Sequence, residues 1–397
     1  MRGMNELAMK RALVERDLVV FSNDWDGDPL SKTHLMRILA RQNRVLWVNS
    51  LGNRKPRANA HDARRLLHKL RDFREGLKRH VEPNLHVLAP LAVPAFGPRA
   101  QALNERLVRA QVLHAMGLLG FSNVISWSFL PASAPVSGTL GESLVVYHCV
   151  DEFSAFGDTD RVKIARLEAR LLRKADLVIT SSEPLLERKR PFNPHTVLVR
   201  HGVDHAHFVR ACDPCTPVPA EVAELPRPVL GFFGLVADWV DLELLAEVAR
   251  RFAHGSVVVI GKVSPGVDVS GLAAVGNVHL LGRKAYADLP GYCRGFDVAL
   301  LPFRVNELTV NANPLKVREY LAAGLPVVST DLPEVRELGL CRIGSGTPGF
   351  LAQIEEALAG TRGPSLDRAG RVLAESWDAR VEEIRLAVGE RSLTLRR

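Results

Sequence analysis

The chain reads as an α/β protein built from two parallel-sheet domains, and three features predict this. Short β-branched runs such as Asp17-Leu18-Val19-Val20-Phe21 and Val257-Val258-Val259-Ile260 alternate with segments of helical period, the pattern of repeated βαβ units. These runs are almost wholly apolar, as strands covered on both faces must be. At 397 residues, 47% hydrophobic and 24% charged, the chain is long enough for two domains of ordinary size.

The first strand, Asp17 to Ser22, runs into the loop Asn23-Asp24-Trp25-Asp26-Gly27-Asp28-Pro29-Leu30. A helix capped by Ser31 and running from about Lys32 to Arg41 is expected next. In a parallel sheet such a loop emerges at the carboxyl end of its strand, where ligands bind. A carboxylate there can take the proton of a reacting hydroxyl, which makes Asp24, Asp26 and His34 candidates. The alternating Asp24, Asp26 and Asp28 look like a metal-binding Asp-x-Asp, but that signature belongs between later strands of a different architecture, and no metal is expected.

Arg44 to Asn49 makes the second strand. From Arg54 to Arg79 the chain holds ten Lys/Arg against three acids, with Leu66, Leu67, Leu70, Phe73 and Leu77 at helical spacing. A basic amphipathic helix of this kind, presenting Arg65 and Lys69, suits an anionic membrane surface. The net charge of +8 points the same way. No helix-turn-helix, finger or aromatic-basic sheet signature accompanies it, so nucleic acid is not expected as a partner.

Strands are expected at Leu85–Leu88 and Asn123–Ser128, with a helix between them from about Ala100 to Gly117. The run from Ser143 to Phe153 ends in polar residues, Tyr147-His148-Cys149-Val150-Asp151, again at a ligand-facing position. A helix from Arg161 to Lys174, a strand from Asp176 to Ser182 and the block His201-Gly202-Val203-Asp204 bring the first domain to its end near 205. Residues 206–228 hold a Pro-rich stretch, with five prolines from Asp213 to Pro228, and read as a linker. The second domain opens with the strand Pro228 to Gly234, whose glycines suit close backbone approach. The helix Leu242–Arg251, the strand Ser256–Gly261 followed by Lys262, and strands at Val278–Gly282 and Phe296–Phe303 follow.

The stretch from Asn306 to Thr330 reads as a loop, a short helix and a strand. Asn313 caps the helix, Pro314 takes its first position and Gly324 ends it in the left-handed conformation. Val327-Val328-Ser329-Thr330 is a buried strand. Lys316 and Glu319 stand three residues apart on one helix face. A helix start with free N–H donors, a lysine ammonium and a carboxylate able to accept from two sugar hydroxyls suits a phosphorylated sugar ligand.

These residues carry a resemblance. Asn-Pro-Leu-Lys, then Glu-Tyr-Leu-Ala-Ala-Gly and Pro-Val-Val-Ser-Thr, resemble the donor-binding domain of two-domain (GT-B) glycosyltransferases. They are most similar to the family 4-like enzymes of bacterial surface-polysaccharide and teichuronic acid synthesis. The resemblance implies two Rossmann-like domains facing each other across a cleft, at 1–205 and 229–375, with a last helix at 376–397 packing back on the first. It implies a sugar moved from a nucleotide diphosphate-sugar donor to a hydroxyl of a lipid-linked or oligosaccharide acceptor, by retaining and metal-independent chemistry without a cofactor. Gly234, Lys262, Glu307, Asn313, Lys316 and Glu319 would hold the donor, with its base near the fourth strand of the second domain. His148, Asp151 and Asp26 would be catalytic, and Asp24 and Lys32 would face the acceptor. Family 4 carries a second glutamate eight residues before the one at Glu319; here that position is Asn311. A sugar-nucleotide epimerase shares the fold, and a transferase-like subunit without catalysis is a third reading.

Cys149, Cys212, Cys215, Cys293 and Cys341 make no disulfide framework and are expected as thiols. No apolar run reaches the length of a spanning helix and the first residues lack a signal-type core, so a cytoplasmic protein is expected, peripheral on the inner face of the membrane.

Overall fold

The computed structural model describes residues 9, 11–26, 29–50, 76–91, 98–157 and 159–395. The chain divides into two compact units, Met1–Arg200 with Val381–Arg397, and His201–Arg380.

The first unit is built on an eight-stranded sheet. Its strands are β1 (Asp17–Phe21), β2 (Arg44–Val48), β3 (Leu77–Glu82), β4 (Leu85–Leu88), β5 (Val124–Ser128), β6 (Leu144–Cys149), β7 (Leu177–Thr180) and β8 (Thr196–Leu198), in the order β3-β4-β2-β1-β5-β6-β7-β8. All neighbours are parallel except β3, which runs antiparallel to β4. Its longer helices are α1 (Ser31–Leu39), α2 (Pro98–Leu119), α3 (Arg161–Lys174) and α4 (Glu183–Lys189). One carboxylate ties three strand starts together. Asp17, 4% exposed, accepts from Arg44 at 2.8 Å and from the Ser122 amide at 2.7 Å.

Two expectations are corrected here. Helix α1 begins at Ser31 itself, with Leu30 preceding it, so Ser31 is the first helical residue and caps nothing. The helical spacing read through Arg79 fails at its end, because Leu77, Lys78 and Arg79 lie in β3. Apolar spacing alone cannot separate a helix end from an edge strand, and here backbone pairing with β4 decides. Arg65, Lys69 and Asp28 fall outside the described residues.

The second unit carries six parallel strands, β9 (Val229–Phe233), β10 (Ser256–Ile260), β11 (Val278–Gly282), β12 (Val298–Leu301), β13 (Val327–Thr330) and β14 (Arg342–Gly344). Their order, β11-β10-β9-β12-β13-β14, is the doubly wound arrangement, with its switch point between β9 and β12. Helices α5 (Leu242–Arg251), α6 (Glu307–Asn311), α7 (Leu315–Ala322) and α8 (Gly346–Ala359) flank it. Alternate residues serve opposite faces. Leu230, Phe232, Val257, Val259, Val298 and Leu300 enter one core, while Val229, Phe233, Val258, Ile260, Ala299 and Leu301 enter the other. The Pro-rich residues 206–228 cluster with this unit and include the short helix Ala220–Ala223.

The last helix, α9 (Trp377–Leu395), starts in the second unit, where Val203 pairs with Ser376. A Cβ on Gly202 would lie 2.8 Å from the Trp377 backbone, so this pairing requires glycine. Farther along α9, within the first unit, Arg385 donates to the Leu13 carbonyl at 3.3 Å and Arg391 to that of Asp176 at 2.7 Å. No described helix is long and apolar enough to cross a membrane.

The tightest backbone approach is at residue 261, where a Cβ would lie 1.7 Å from the Gly234 carbonyl oxygen. Gly261→Ala is expected to cost about 3 kcal/mol or more, because backbone and not a flexible side chain must give way. The expected readout is a fall of roughly 6–12 °C in the unfolding midpoint of the second unit, measured by calorimetry.

Candidate functional site

In the second unit Gly234, Lys262, Lys316 and Glu319 gather at the carboxyl ends of β9 and β10. The Gly234 amide donates to the Ile260 carbonyl at 2.9 Å and the Val236 amide to that of Lys262 at 3.0 Å, so the loops carrying Gly234 and Lys262 run side by side. The Lys262 side chain is exposed. Lys316, in the first turn of α7, reaches this turn; its Cε lies 3.7 Å from where a Cβ on Gly234 would stand. Its ammonium sits 4.8 Å above the Phe233 ring and 2.7 Å from Glu319 Oε2. Glu319 is 2% exposed, whereas 27% of the Lys316 side chain remains open to solvent.

The neighbours of Glu319 hold the turn in place. The Phe233 amide donates to the Tyr320 hydroxyl at 2.8 Å, and the two rings meet edge-on at 4.7 Å. Burial pushes the Cys293 thiol well up from its ordinary value, with the Glu319 carboxylate adding to the effect, so this thiol stays protonated. Nothing in the sequence marks Phe233 and Tyr320 as site residues, because as apolar core positions they have no chemical signature.

Asn313 does not cap α7. Pro314 stands at the cap position with no side-chain bond, and Asn313 is 3% exposed. Its Nδ2 donates to Glu334 at 2.9 Å and its Oδ1 accepts from Arg318 Nη1 at 2.6 Å. His201 Nδ1 meets its carbonyl at 2.9 Å, and Arg318 Nε donates to Glu375 at 3.0 Å. The Asn313 side chain therefore ties the helix start to Arg318 and Glu334. A buried arginine four positions before the helix end needs a carboxylate, and Glu375, 57 residues away, supplies it, which no local pattern reveals.

The stretch from Asn306 to Ala312, read as loop, contains α6. Asn306 caps it by accepting from the amides of Leu308 and Thr309 at 3.0 and 3.1 Å, and Thr309 Oγ1 accepts from the Asn306 amide. Glu307 is its half-buried first residue. Asn311, where family 4 carries a glutamate, is 2% exposed and donates to the Glu307 carbonyl at 2.6 Å. A cavity of about 300 Å³ opens at the carboxyl ends of β12 to β14, lined by Phe303, Arg304, Thr330, Asp331, Ser345 and Thr347 among others. Neither Lys316 nor Glu319 lines it.

In the first unit, Lys32, His148 and Asp151 share surroundings. Lys32 is 7% exposed, donates to Asn23 Oδ1 at 2.7 Å and lies 5.9 Å from the rings of both Phe129 and Phe153. His148, 1% exposed, stacks on Phe129 at 5.0 Å. Burial brings the Lys32 ammonium down to about 8, with Asp151 pulling the other way. Burial lifts the Asp151 carboxyl to about 6, and Lys32 opposes the rise. Asp24 and Asp26 are exposed in the loop after β1, and Asn23 of that loop is the one that reaches Lys32.

Residues 227–361 match the family model described as Glycosyl transferases group 1. The chain is 26% identical, over 226 residues, to the teichuronic acid biosynthesis glycosyltransferase TuaH of Bacillus subtilis (strain 168). That match covers 53% of this chain and 56% of TuaH, little more than half the length of that curated relative. In structure the chain is similar to sucrose-phosphate synthase from Thermosynechococcus elongatus, with a TM-score of 0.67 at 15% identity, covering 93% of this chain and 97% of that one. It is also similar to Anabaena HepE, solved in complex with UDP and glucose, with a TM-score of 0.60 at 15% identity and coverages of 96% and 98%. Two parallel-sheet units of this topology, and the likeness to these structures, give the chain the GT-B fold, and its segment 227–361 matches the Glycosyl transferases group 1 model.

Proposed function

We propose that the chain moves a sugar from a nucleotide diphosphate-sugar to a hydroxyl of a lipid-linked or oligosaccharide acceptor in surface-polysaccharide assembly. One observation carries this reading: the Lys316 ammonium stands at the glycine turn after β9, partly open to solvent and fixed by Glu319 and the Phe233 ring. A cation at a strand's carboxyl end, in the first turn of a helix, suits the diphosphate and would stabilise charge on it as it departs. On this reading Glu319 orients the ribose, Lys262 and Glu307 flank the donor, and the base enters the cavity beside β12. The chemistry is proposed as retaining and independent of metal.

Asp151 is proposed as the group that takes the acceptor proton, with His148 orienting the sugar and Asp26, Asp24 and Lys32 on the acceptor side. Arg65 and Lys69 are proposed to meet an anionic membrane surface on the cytoplasmic side. A second reading, a transferase-like subunit without catalysis, draws on the buried asparagine at 311.

A thermal-shift panel of nucleoside diphosphates, with UDP first, tests donor binding, since a ligand bound only by the folded chain raises its midpoint. Lys316→Ala is expected to weaken the preferred nucleotide about tenfold or more, and to lower the ligand-free midpoint as well, because it leaves the buried Glu319 without its cation. Equal affinity in parent and variant removes the phosphate role. The acid and base forms set the pH profile of transfer. The Asp151 carboxylate fills as pH rises through about 6 and the Lys32 ammonium empties through about 8, so rate should climb through the first and decline through the second. Asp151→Asn is expected to lower the rate about 100-fold and abolish the climb. Anionic liposomes at low salt should recruit the protein. Recruitment without any nucleotide binding would establish the second reading.

A further inference from the structure

Beside the loop that follows β6 lies a buried ion cluster to which the proposed transfer gives no role. Lys189 on α4, 4% exposed, donates to Glu152 Oε2 and to Glu168 Oε2, each at 2.8 Å. Glu152, 2% exposed, comes from the loop, and Glu168, 5% exposed, from α3. Tyr147 donates to Glu168 Oε1 at 2.6 Å, and Ser154 donates to Glu152 Oε1 at 2.7 Å. Arg188 approaches Glu152 to 3.4 Å.

Ion groups this deep contribute little net stability, because their attraction roughly offsets the loss of hydration. Their stronger effect is geometric, since each ion demands its partner in one place. What this cluster holds is the segment next to Asp151. Glu152 adjoins it in sequence, and the Cys149 thiol donates to the Asp151 carbonyl at 3.4 Å. The charged group acting on the Asp151 carboxyl is Lys32 from α1, and Glu152 is its neighbour in the loop; the cations Arg188 and Lys189 from α4 and the carboxylate Glu168 from α3 meet Glu152 or one another, and the titratable Tyr147, His148 and Cys149 stand on β6.

We propose that Lys189 is a positioning residue that clamps Glu152 to Glu168 and thereby holds the neighbouring Asp151 carboxyl at the end of β6, within the field of Lys32. The proposal gains its catalytic meaning from the role given to Asp151 above, but the clamp can be tested without donor or acceptor. Removing Lys189 leaves two buried carboxylates facing one another without their shared cation, which costs too much to persist. Glu168 and Tyr147 lie within a helix and a strand. The loop, which carries only the single turn Phe153–Ala155, is the member free to move, so Glu152 should swing into water and take Asp151 with it.

The test is carbon-13 NMR titration of the full chain labelled at aspartate carboxyl carbons, with Asp151→Asn assigning the signal. In the parent, Asp151 is expected to titrate at about 6. In Lys189→Met its midpoint should fall by roughly 1–2 pH units, toward the ordinary aspartate value. Lys189→Arg, which keeps the cation, should stay within about half a pH unit of the parent. A folded Lys189→Met protein with the parent midpoint overturns the proposal, because Glu152 and Glu168 have then taken up protons in place. If Lys189→Met does not fold, Glu152→Asp replaces it, keeping every charge and shortening the arm by one methylene. A shift of about half a pH unit or more supports the clamp, and an unchanged midpoint overturns it. Since no nucleotide is present, a failed clamp leaves sugar transfer standing, and a failed transfer assay leaves the clamp standing.

Discussion

At the carboxyl ends of β9 and β10, two backbone segments approach so closely that the Gly234 carbonyl occupies the place of any side chain on residue 261. Because residue 261 has no Cβ, the turns after β9 and β10 lie against each other as one floor. Lys316 extends over that floor rather than away from it, since Phe233 below and Glu319 beside it leave its ammonium one well-defined position. The lysine is thus fixed by its neighbours while its side chain stays partly open to solvent. On the proposed reading, a donor diphosphate would find this cation already ordered, which lowers the entropy cost of binding.

Both units use buried ion clusters to place residues that carry no charge of their own, or whose charge is needed elsewhere. In the second unit Arg318, 2% exposed, spans from Asn313 to Glu375 and so ties the start of α7 to the segment that pairs with Val203. In the first, Lys189 gathers one loop and one helix around itself. Burial lowers the Arg318 guanidinium from its ordinary value while Glu375 opposes the change, a sign of how much hydration has been given up for geometry. Apolar side chains would fill the same volumes, but they would permit more than one arrangement of the segments they hold.

Lys32 and Asp151 show the same economy with opposite consequences for chemistry. Each is pulled toward neutrality by burial and toward charge by the other, so both titrate close to neutral pH. In the folded chain Asp151 binds its proton more tightly than in the unfolded one. Its contribution to stability is therefore present at low pH and lost as pH rises through about 6. A site that gives up stability where its carboxylate is charged is one shaped by something other than folding.

The amino-acid sequence by itself determined the class of fold and the pairing of two candidate residues. Apolar β-branched runs spaced by helical segments can bury both faces only in parallel sheets, and the run from Pro314 to Thr330 admits one helix and one strand, ended where Gly324 alone tolerates a φ of 74°. Lys316 and Glu319 were legible because three residues on a helix put them on one face, where they meet at 2.7 Å. Only the tertiary structure decided the rest. Asn313 has the chemistry of a cap, yet Arg318 and Glu334, brought in from the helix and from 21 residues farther on, claim its amide. Leu77 fits a helix by spacing and enters a strand because β4 offers a pairing edge. Glu152, Glu168 and Lys189 look like any surface charges in the sequence, since burial, which gives them their effect, is a property of neighbours distant along the chain.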